Sequence, residues 1–120
     1  MNWPNSSPSF TLLLESVLML ESSGCTQLRG IDKRAYGCMQ IHLKTAESIT
    51  RMPLSPWVLT RDPALNIRIA ADLLRRYYRE THSWRRMLSM YHDGPGFRGI
   101  DTEYVRAVLR RIRSLPLSVD

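Results

Sequence analysis

The stretch LESVLMLESSG runs from Leu14 to Gly24 and combines a dense apolar run with two glutamates and a terminal glycine. Helical steps of three and four residues place Leu14, Val17, Leu18 and Glu21 on one face. Glycine suits the left-handed conformation that ends many helices, so we expect the helix to end near Gly24. Glu21 therefore extends an apolar stripe in the last turn of a helix.

This position gives Glu21 the properties of a general acid. The negative end of the helix dipole and the surrounding leucine and valine side chains both disfavour a charged carboxylate. We therefore expect a raised pKa and a proton that is available near neutral pH. The alternative is a polar residue that bends out into solvent at the end of a helix. Glu15, on another side of the same helix, is expected to be an ordinary solvated acid.

Six short segments resemble, in order, the pattern of one enzyme family. Glu21-Ser22, the GCMQI segment from Gly37 to Ile41, and Thr45-Ala46 are similar to the E-S, G-L-M-Q and T-A segments of lytic transglycosylases. Three later segments resemble the family's N-I, A-Y-N-A-G-P-G and Y-V elements: Asn66-Ile67, the YHDGPG segment from Tyr91 to Gly96, and Tyr104-Val105. The resemblance covers residues from about 12 to 112.

Three positions depart from that pattern. Cys38 replaces the usual leucine before Met-Gln, His92 replaces the asparagine after the motif tyrosine, and Asp93 replaces the next alanine. The departures leave Glu21 in place and change the surroundings of Tyr91.

The resemblance implies an all-α, lysozyme-like (lytic transglycosylase) single helical domain over residues 8–120. Residues 1–7, rich in Asn, Ser and Pro, are expected to form a flexible N-terminal arm. Glu21 is the implied catalytic residue. The implied substrate-binding residues are Ser22, Gly37, Met39, Gln40, Tyr91, His92 and Tyr104. No cofactor is implied, and the histidines and cysteines lack the short paired spacings of a metal site.

Several of these residues have a simpler interpretation. Gly37 lets the backbone approach either a ligand or a packed helix. Met39 and Gln40 are compatible with core filling and a surface amide, and only the resemblance directs Gln40 towards a substrate acetamido group or Glu21.

Two further groups bear on the acid chemistry. We expect His92 to belong to a turn with residues 93–96, although an imidazole that reached the cleft would lower the pKa of Glu21. Asp32 offers a second carboxylate of the kind that glycosidases use in pairs, but it is expected to be a solvated loop acid.

The implied reaction is cleavage of the β-1,4 bond between N-acetylmuramic acid (MurNAc) and N-acetylglucosamine (GlcNAc) in peptidoglycan, with formation of 1,6-anhydro-MurNAc. Glu21 alone would act as acid and then as base. A goose-type lysozyme-like muramidase, which uses water, is the close alternative. From another class, the chain could be a basic helical nucleic-acid-binding module, or a structural virion or secretion component without activity.

A formal net charge of +6, dominated by arginine, favours anionic partners. Peptidoglycan glycan strands and other anionic cell-envelope polymers fit this charge. Nucleic acid is not expected, because the arginines are spread over all the predicted helices. Arg106, Arg110 and Arg113 on the last helix form either a solvated face or an anion-binding patch.

The sequence also predicts where the protein acts. The N-terminus lacks a basic region, Glu15 and Ser16 interrupt the apolar run that follows, and no run reaches membrane-spanning length. Action in the periplasm or cell wall would then depend on delivery by a virion, a holin or a secretion apparatus. The resemblance also places the end of the Glu21 helix beside the Met-Gln segment, so Cys25 and Cys38 either pair or remain packed thiols.

No strand-like alternation is visible, which predicts five or six helices around one core. Residues 51–61 are expected to be a connector with Trp57 as an aromatic anchor. The predicted helices cover residues 8–23, 37–50, 62–80, 83–91 and from about 101 onward.

Overall fold

Six helices and one small hairpin make up the part of the chain that the computed structural model describes, namely residue 3, residues 7–25 and residues 34–115. The elements are, in order, α1 (Phe10–Ser22), β1 (Ala35–Tyr36), β2 (Ile41–His42), α2 (Leu43–Thr50), α3 (Pro56–Arg61), α4 (Pro63–Thr81), α5 (Trp84–Asp93) and α6 (Glu103–Ser114). The predicted helical domain is confirmed. The hairpin is an addition to it.

The long helix α4 is the centre of the core. Asp62 caps its start by accepting a 3.0 Å hydrogen bond from the Leu65 N–H, and Pro63 occupies its first turn, as predicted. Helices α2, α3 and α5 pack against α4, while α6 packs against α1 and α5. The buried face of α4 consists of Asn66, Ile69, Ala70, Ala71, Leu73, Leu74, Tyr77 and Tyr78. This arrangement brings the end of α1 close to the start of α6.

The prediction that a helix begins at Gly37 is wrong. Gly37 and Gln40 have φ values of 79° and 53°, in the left-handed region, and so cannot belong to a right-handed helix. The chain turns between them, and Tyr36 pairs with Ile41 in an antiparallel ladder. Helix α2 begins only at Leu43. Strands of two residues are too short for alternation to be visible in the sequence.

Two other predicted boundaries also change. Helix α1 begins at Phe10, because Ser9 accepts the capping hydrogen bond from the Leu12 N–H at 3.1 Å. The expected connector contains α3, and Trp57 on it is 65% exposed, so the prediction of an aromatic anchor is wrong. The buried residue of α3 is Leu59.

Trp3 lies against the domain. Its Nε1 donates a 2.8 Å hydrogen bond to the Pro8 carbonyl, and its ring centroid is 4.7 Å from that of Tyr78. Apart from Trp3 and Ser7, the predicted arm lies outside the described residues, and its flexibility stays a prediction. Asp32 also lies outside them. Within the described ranges, no helix has both the length and the apolar character needed to cross a membrane.

A disulfide joins Cys25 to Cys38, with their Cα atoms 4.5 Å apart. Of the two alternatives for the cysteines, pairing is the one present. The bond links the turn that follows α1 to the turn between β1 and β2.

Candidate active site

The last turn of α1 holds Glu21 in a defined position. The Ser23 N–H donates a 2.9 Å hydrogen bond to the Met19 carbonyl, and Ser23 ends the helix in the left-handed conformation. The buried Ser22 hydroxyl accepts a 2.9 Å hydrogen bond from the Cys25 N–H. Because the disulfide holds Cys25 as well, the helix end that carries Glu21 is fixed both by hydrogen bonds and by a covalent link.

The carboxyl of Glu21 is half-buried and contacts the last helix. The Tyr104 hydroxyl donates a 3.0 Å hydrogen bond to Oε2 of Glu21. Burial raises the pKa of Glu21, while the hydrogen bond from Tyr104 and the positive charge available on His92 oppose part of that rise. The net effect is a raised pKa, which is the direction that the sequence predicted. Glu15 is exposed, as expected.

Tyr91 and Tyr104 border the acid as two stable hydrogen-bond donors. Burial, followed by the nearby charge of Glu21, raises the pKa of each phenol well above its ordinary value. The Tyr91 hydroxyl donates a 2.6 Å hydrogen bond to the Met39 carbonyl, which ties α5 to the hairpin turn. Both phenols therefore keep their protons over the whole pH range in which Glu21 titrates.

His92 belongs to the last turn of α5 and not to the turn that follows it. Its ring stacks on Tyr104 with centroids 4.3 Å apart, and its Nδ1 lies 3.2 Å from Oδ1 of Asp93. Helix α5 continues to Asp93, and the turn begins at Gly94, so the prediction that His92 belongs to the turn is wrong. The alternative, in which the imidazole reaches the acid, matches the stacking on Tyr104.

Asn66 organises the hairpin turn from the core, a role that the sequence did not reveal. It is fully buried, its Oδ1 accepts a 2.8 Å hydrogen bond from the Met39 N–H, and its Nδ2 donates to the carbonyls of Tyr36 (2.9 Å) and Leu59 (3.1 Å). A Cβ on Gly37 would collide with the Asn66 amide and the Leu59 carbonyl. The only signal in the sequence was the Asn66-Ile67 segment.

The predicted substrate-binding residues therefore separate into two groups. Ser22, Gly37 and Met39 are buried, and they shape the site through backbone and core contacts. Gln40 and His92 retain exposed surface and line one cavity of about 400 Å³, together with Tyr91. Tyr104 lies beneath His92 and faces Glu21.

That cavity is the candidate cleft. Its walls come from the hairpin, the start of α2, the middle of α4 and the end of α5. Glu21 is not among its lining residues, and it adjoins the cleft through His92 and Tyr104. Asp93, expected from the sequence to be a turn residue and a departure from the family pattern, ends α5 and also lines this cavity.

A family model described as the transglycosylase SLT domain matches residues 6–111. The chain belongs to the transglycosylase SLT domain family. The match covers most of the chain and establishes the lysozyme-like fold and an enzyme family that acts on cell-wall peptidoglycan, outside the cytoplasm. Neither the curated proteins nor the solved structures include a significant match.

The matched range of this SLT domain includes every residue of the candidate site. Among the described residues, no group of three or more His, Cys, Asp or Glu side chains is arranged to hold a metal ion. The groups that this candidate site offers for proton transfer are one carboxyl with a raised pKa, two phenols and one imidazole.

Proposed function

We propose that this SLT domain is a lytic transglycosylase that cleaves the β-1,4 bond between MurNAc and GlcNAc, with Glu21 as the single general acid and base. The observation that carries the proposal is the hydrogen bond between Tyr104 and Glu21, 3.0 Å long, on a carboxyl whose pKa burial has raised. A carboxyl in this state retains a proton for the leaving group at a pH where a solvated glutamate has lost it.

In the first step, Glu21 gives its proton to the glycosidic oxygen, and the bond from that oxygen to C1 of MurNAc breaks. The departing GlcNAc keeps the electron pair of the broken bond and leaves as an alcohol. The acetamido oxygen of MurNAc stabilises the positive charge that develops at C1, as in other substrate-assisted glycosidases. Glu21 is then a carboxylate.

In the second step, the C6 hydroxyl of MurNAc attacks C1 and closes the 1,6-anhydro ring. Its proton passes to the Glu21 carboxylate, which restores the starting acid without consuming water. One carboxyl is therefore enough for the whole cycle. Tyr104 keeps the carboxyl oriented in both states, since a phenol with a raised pKa remains a donor throughout.

We assign Gln40 and His92 to substrate contact, because both retain exposed surface on the cleft. Tyr91 shares that cavity, although its hydroxyl is occupied by the Met39 carbonyl. Ser22, Gly37 and Met39 are positioning residues in this proposal, since each is buried.

A peptidoglycan-hydrolysing muramidase is the second candidate, and one observation favours it. Asp93 supplies a second carboxylate on the cleft, with Oδ1 3.2 Å from Nδ1 of His92. A carboxylate that activates a water molecule on the opposite side of the sugar from the acid would give hydrolysis instead of ring closure.

Mass spectrometry of the products from purified sacculi distinguishes the two candidates. We expect 1,6-anhydro-muropeptides from the wild-type protein and no soluble products from Glu21→Gln. Reducing MurNAc ends would instead establish the muramidase, and Asp93→Asn should then lose that activity. Soluble products released by Glu21→Gln at the wild-type rate would refute both mechanisms.

A further inference from the structure

A second cavity, of about 390 Å³, lies between the end of α2 and the outer face of α4. Four of its lining residues are arginines. Arg51 is the residue that ends α2, and Arg75, Arg76 and Arg79 belong to α4. Asp72 is its one acidic lining residue. Four guanidinium groups around a concave surface with a single carboxylate create a strongly positive site.

Only part of this charge is neutralised within the domain. Arg75 lies 3.5 Å from Asp72, and Arg76 lies 3.4 Å from Glu80, in exposed ion pairs. Arg51 and Arg79 form no ion pair or side-chain hydrogen bond with any described residue. Two guanidinium groups are therefore left with their full capacity for an external anion.

The arginines of α6, for which the sequence left open a solvated face or an anion-binding patch, have more hydrogen-bond partners within the domain. Oε1 of Glu103 accepts a 2.6 Å hydrogen bond from Arg110, and Oε2 accepts one of 3.3 Å from Arg106. Arg106 also donates to the Asp101 carbonyl at 2.9 Å. Arg106 and Arg110 thus already donate hydrogen bonds to Glu103 or Asp101, at or just before the start of α6.

The position of the second cavity indicates the source of its ligand. Helices α2 and α4 line both cavities: Thr45 and Tyr77 face the cleft, whereas Ser48 and Arg76 face the arginine cavity. Helix α2 has eight residues, about 12 Å at 1.5 Å per residue. An anion that belongs to a polymer already bound in the cleft is therefore within reach of both sites at once.

We propose that the cavity lined by Arg51, Arg75, Arg76 and Arg79 binds carboxylate groups of the peptides attached to the glycan strand that occupies the cleft. The proposal rests on the proposed function, because it takes peptidoglycan as the polymer in the cleft. Binding through guanidinium–carboxylate hydrogen bonds makes the domain select strands that still carry their peptides. A glycan without peptides loses this second contact and retains the first.

The test compares the Arg51→Gln/Arg79→Gln double variant with Arg106→Gln/Arg110→Gln, which removes the same two charges from α6. Both are made in a Glu21→Gln background to prevent cleavage, and co-sedimentation measures binding to intact sacculi and to peptide-free strands prepared with an amidase. We expect the first double variant to bind intact sacculi about tenfold or more weakly, as the loss of one charge-assisted hydrogen bond predicts. The α6 double variant should change little, and both should bind peptide-free strands like the parent.

Three results would overturn the proposal. Equal losses in the two double variants would mean that net charge alone controls binding. A loss that persists on peptide-free strands would place the contact on the glycan. Binding to phosphatidylglycerol vesicles or DNA that depends on Arg51 and Arg79, without an effect on sacculi, would assign the cavity to phosphate. Product analysis of the wild-type protein tests the proposed function separately, since it does not involve these arginines.

Discussion

The hydroxyl of Tyr104, in the first turn of α6, donates a hydrogen bond of 3.0 Å to Oε2 of Glu21, in the last turn of α1. The two residues come from opposite parts of the sequence and are brought together because α6 packs against α1. Burial raises the pKa of Glu21, and Tyr104 lowers it again to a smaller extent. The charge on His92 also lowers this pKa, so single substitutions of Tyr104 and His92 can remove the two influences that oppose burial.

Glu21→Gln should abolish activity on peptidoglycan, with a loss of about 10²–10⁴-fold or more, because the amide has no proton to donate. Turbidity loss of a sacculus suspension measures this. Glu15→Gln is the matched control: it makes the same chemical change on an exposed position of the same helix and should leave the rate unchanged. Comparable losses in both variants would contradict the assignment of the acid.

The Glu21→Gln variant also tests how the raised pKa of Glu21 affects the stability of the fold. A carboxyl whose folded-state pKa lies above its unfolded value contributes stability that is present below the unfolded pKa and lost as pH rises through the folded pKa. Removing the charge should therefore leave the free energy of unfolding at neutral pH unchanged or higher. Urea unfolding at pH 7 and pH 4 should show the difference between variant and wild type shrinking at the lower pH.

Tyr104→Phe should shift the pH dependence of activity. The lost hydrogen bond favoured the charged carboxylate, so its removal raises the pKa of Glu21 further. Donation requires the protonated acid, and the fall of activity on the alkaline side should therefore move to higher pH. Rates measured from about pH 4 to 9 would show this, with Tyr36→Phe as a control outside the hydrogen bond to Glu21. A shift towards lower pH would contradict the stated role of Tyr104.

His92→Asn should also move the alkaline limb of the pH–activity profile to higher pH wherever the imidazole is protonated. The substitution removes a nearby positive charge that lowers the pKa of Glu21. The sequence alone favoured a neutral outcome for this substitution. Stacking on Tyr104 at 4.3 Å reverses that expectation. Asp93→Asn is the companion variant, since it removes the carboxylate beside Nδ1 and retains the ring. Superimposable profiles for wild type and His92→Asn would return His92 to a purely structural role.

Asn66→Ala should lower the free energy of unfolding by about 2–4 kcal/mol, because the Met39 N–H and two backbone carbonyls lose their buried partner. Gly37→Ala should destabilise the domain comparably, since its Cβ would collide with the Asn66 amide and the backbone there has φ 79°. Gly96→Ala, which meets nothing within 4 Å, is the control and should stay within about 0.5 kcal/mol of wild type. Urea titrations measure all three. A stable Asn66→Ala protein would show that the turn is held by other contacts.

Reduction of the Cys25–Cys38 disulfide should destabilise the domain by about 3 kcal/mol, the order expected for a loop of this length. Activity should fall as well, because the link holds the end of α1 that carries Glu21. Urea unfolding and turbidity assays with and without reductant measure the two effects. The Cys25→Ser/Cys38→Ser protein should be insensitive to reductant; if it matches the oxidised wild type in both measurements, the link does not support the site.

Local patterns were sufficient to predict the parts of the site that depend on a single helix. The spacing of Leu14, Val17 and Leu18 predicted a buried face that includes Glu21. Val17 is buried, whereas Leu14, Leu18 and Glu21 are only partly buried, and the other buried residues of α1 are Leu13, Ser16 and Ser22. The cap formed by Asp62 and Pro63 located the start of α4. These features follow from helical periodicity and from chemistry within four residues, both of which a sequence displays directly.

The wrong predictions for Gln40 and His92 concern conformations that depend on contacts with residues distant in the sequence. Gln40 adopts a positive φ within a turn whose Met39 N–H is bound by Asn66, more than twenty residues away in sequence. His92 was assigned to a turn because glycine and proline follow it closely, yet α5 continues through it and its ring packs on Tyr104 from α6. Neither partner is adjacent in the chain, so no local rule identifies them.

The disulfide between Cys25 and Cys38 makes the stability of the domain depend on the redox conditions around it. Such bonds form and persist in oxidising compartments and are rare where thiols are kept reduced. The SLT domain family acts on cell-wall peptidoglycan, outside the cytoplasm, and conditions there favour the oxidised form of this cysteine pair. Where thiols are kept reduced, the domain lacks the covalent link between the end of α1 and the hairpin turn, and it is then less stable.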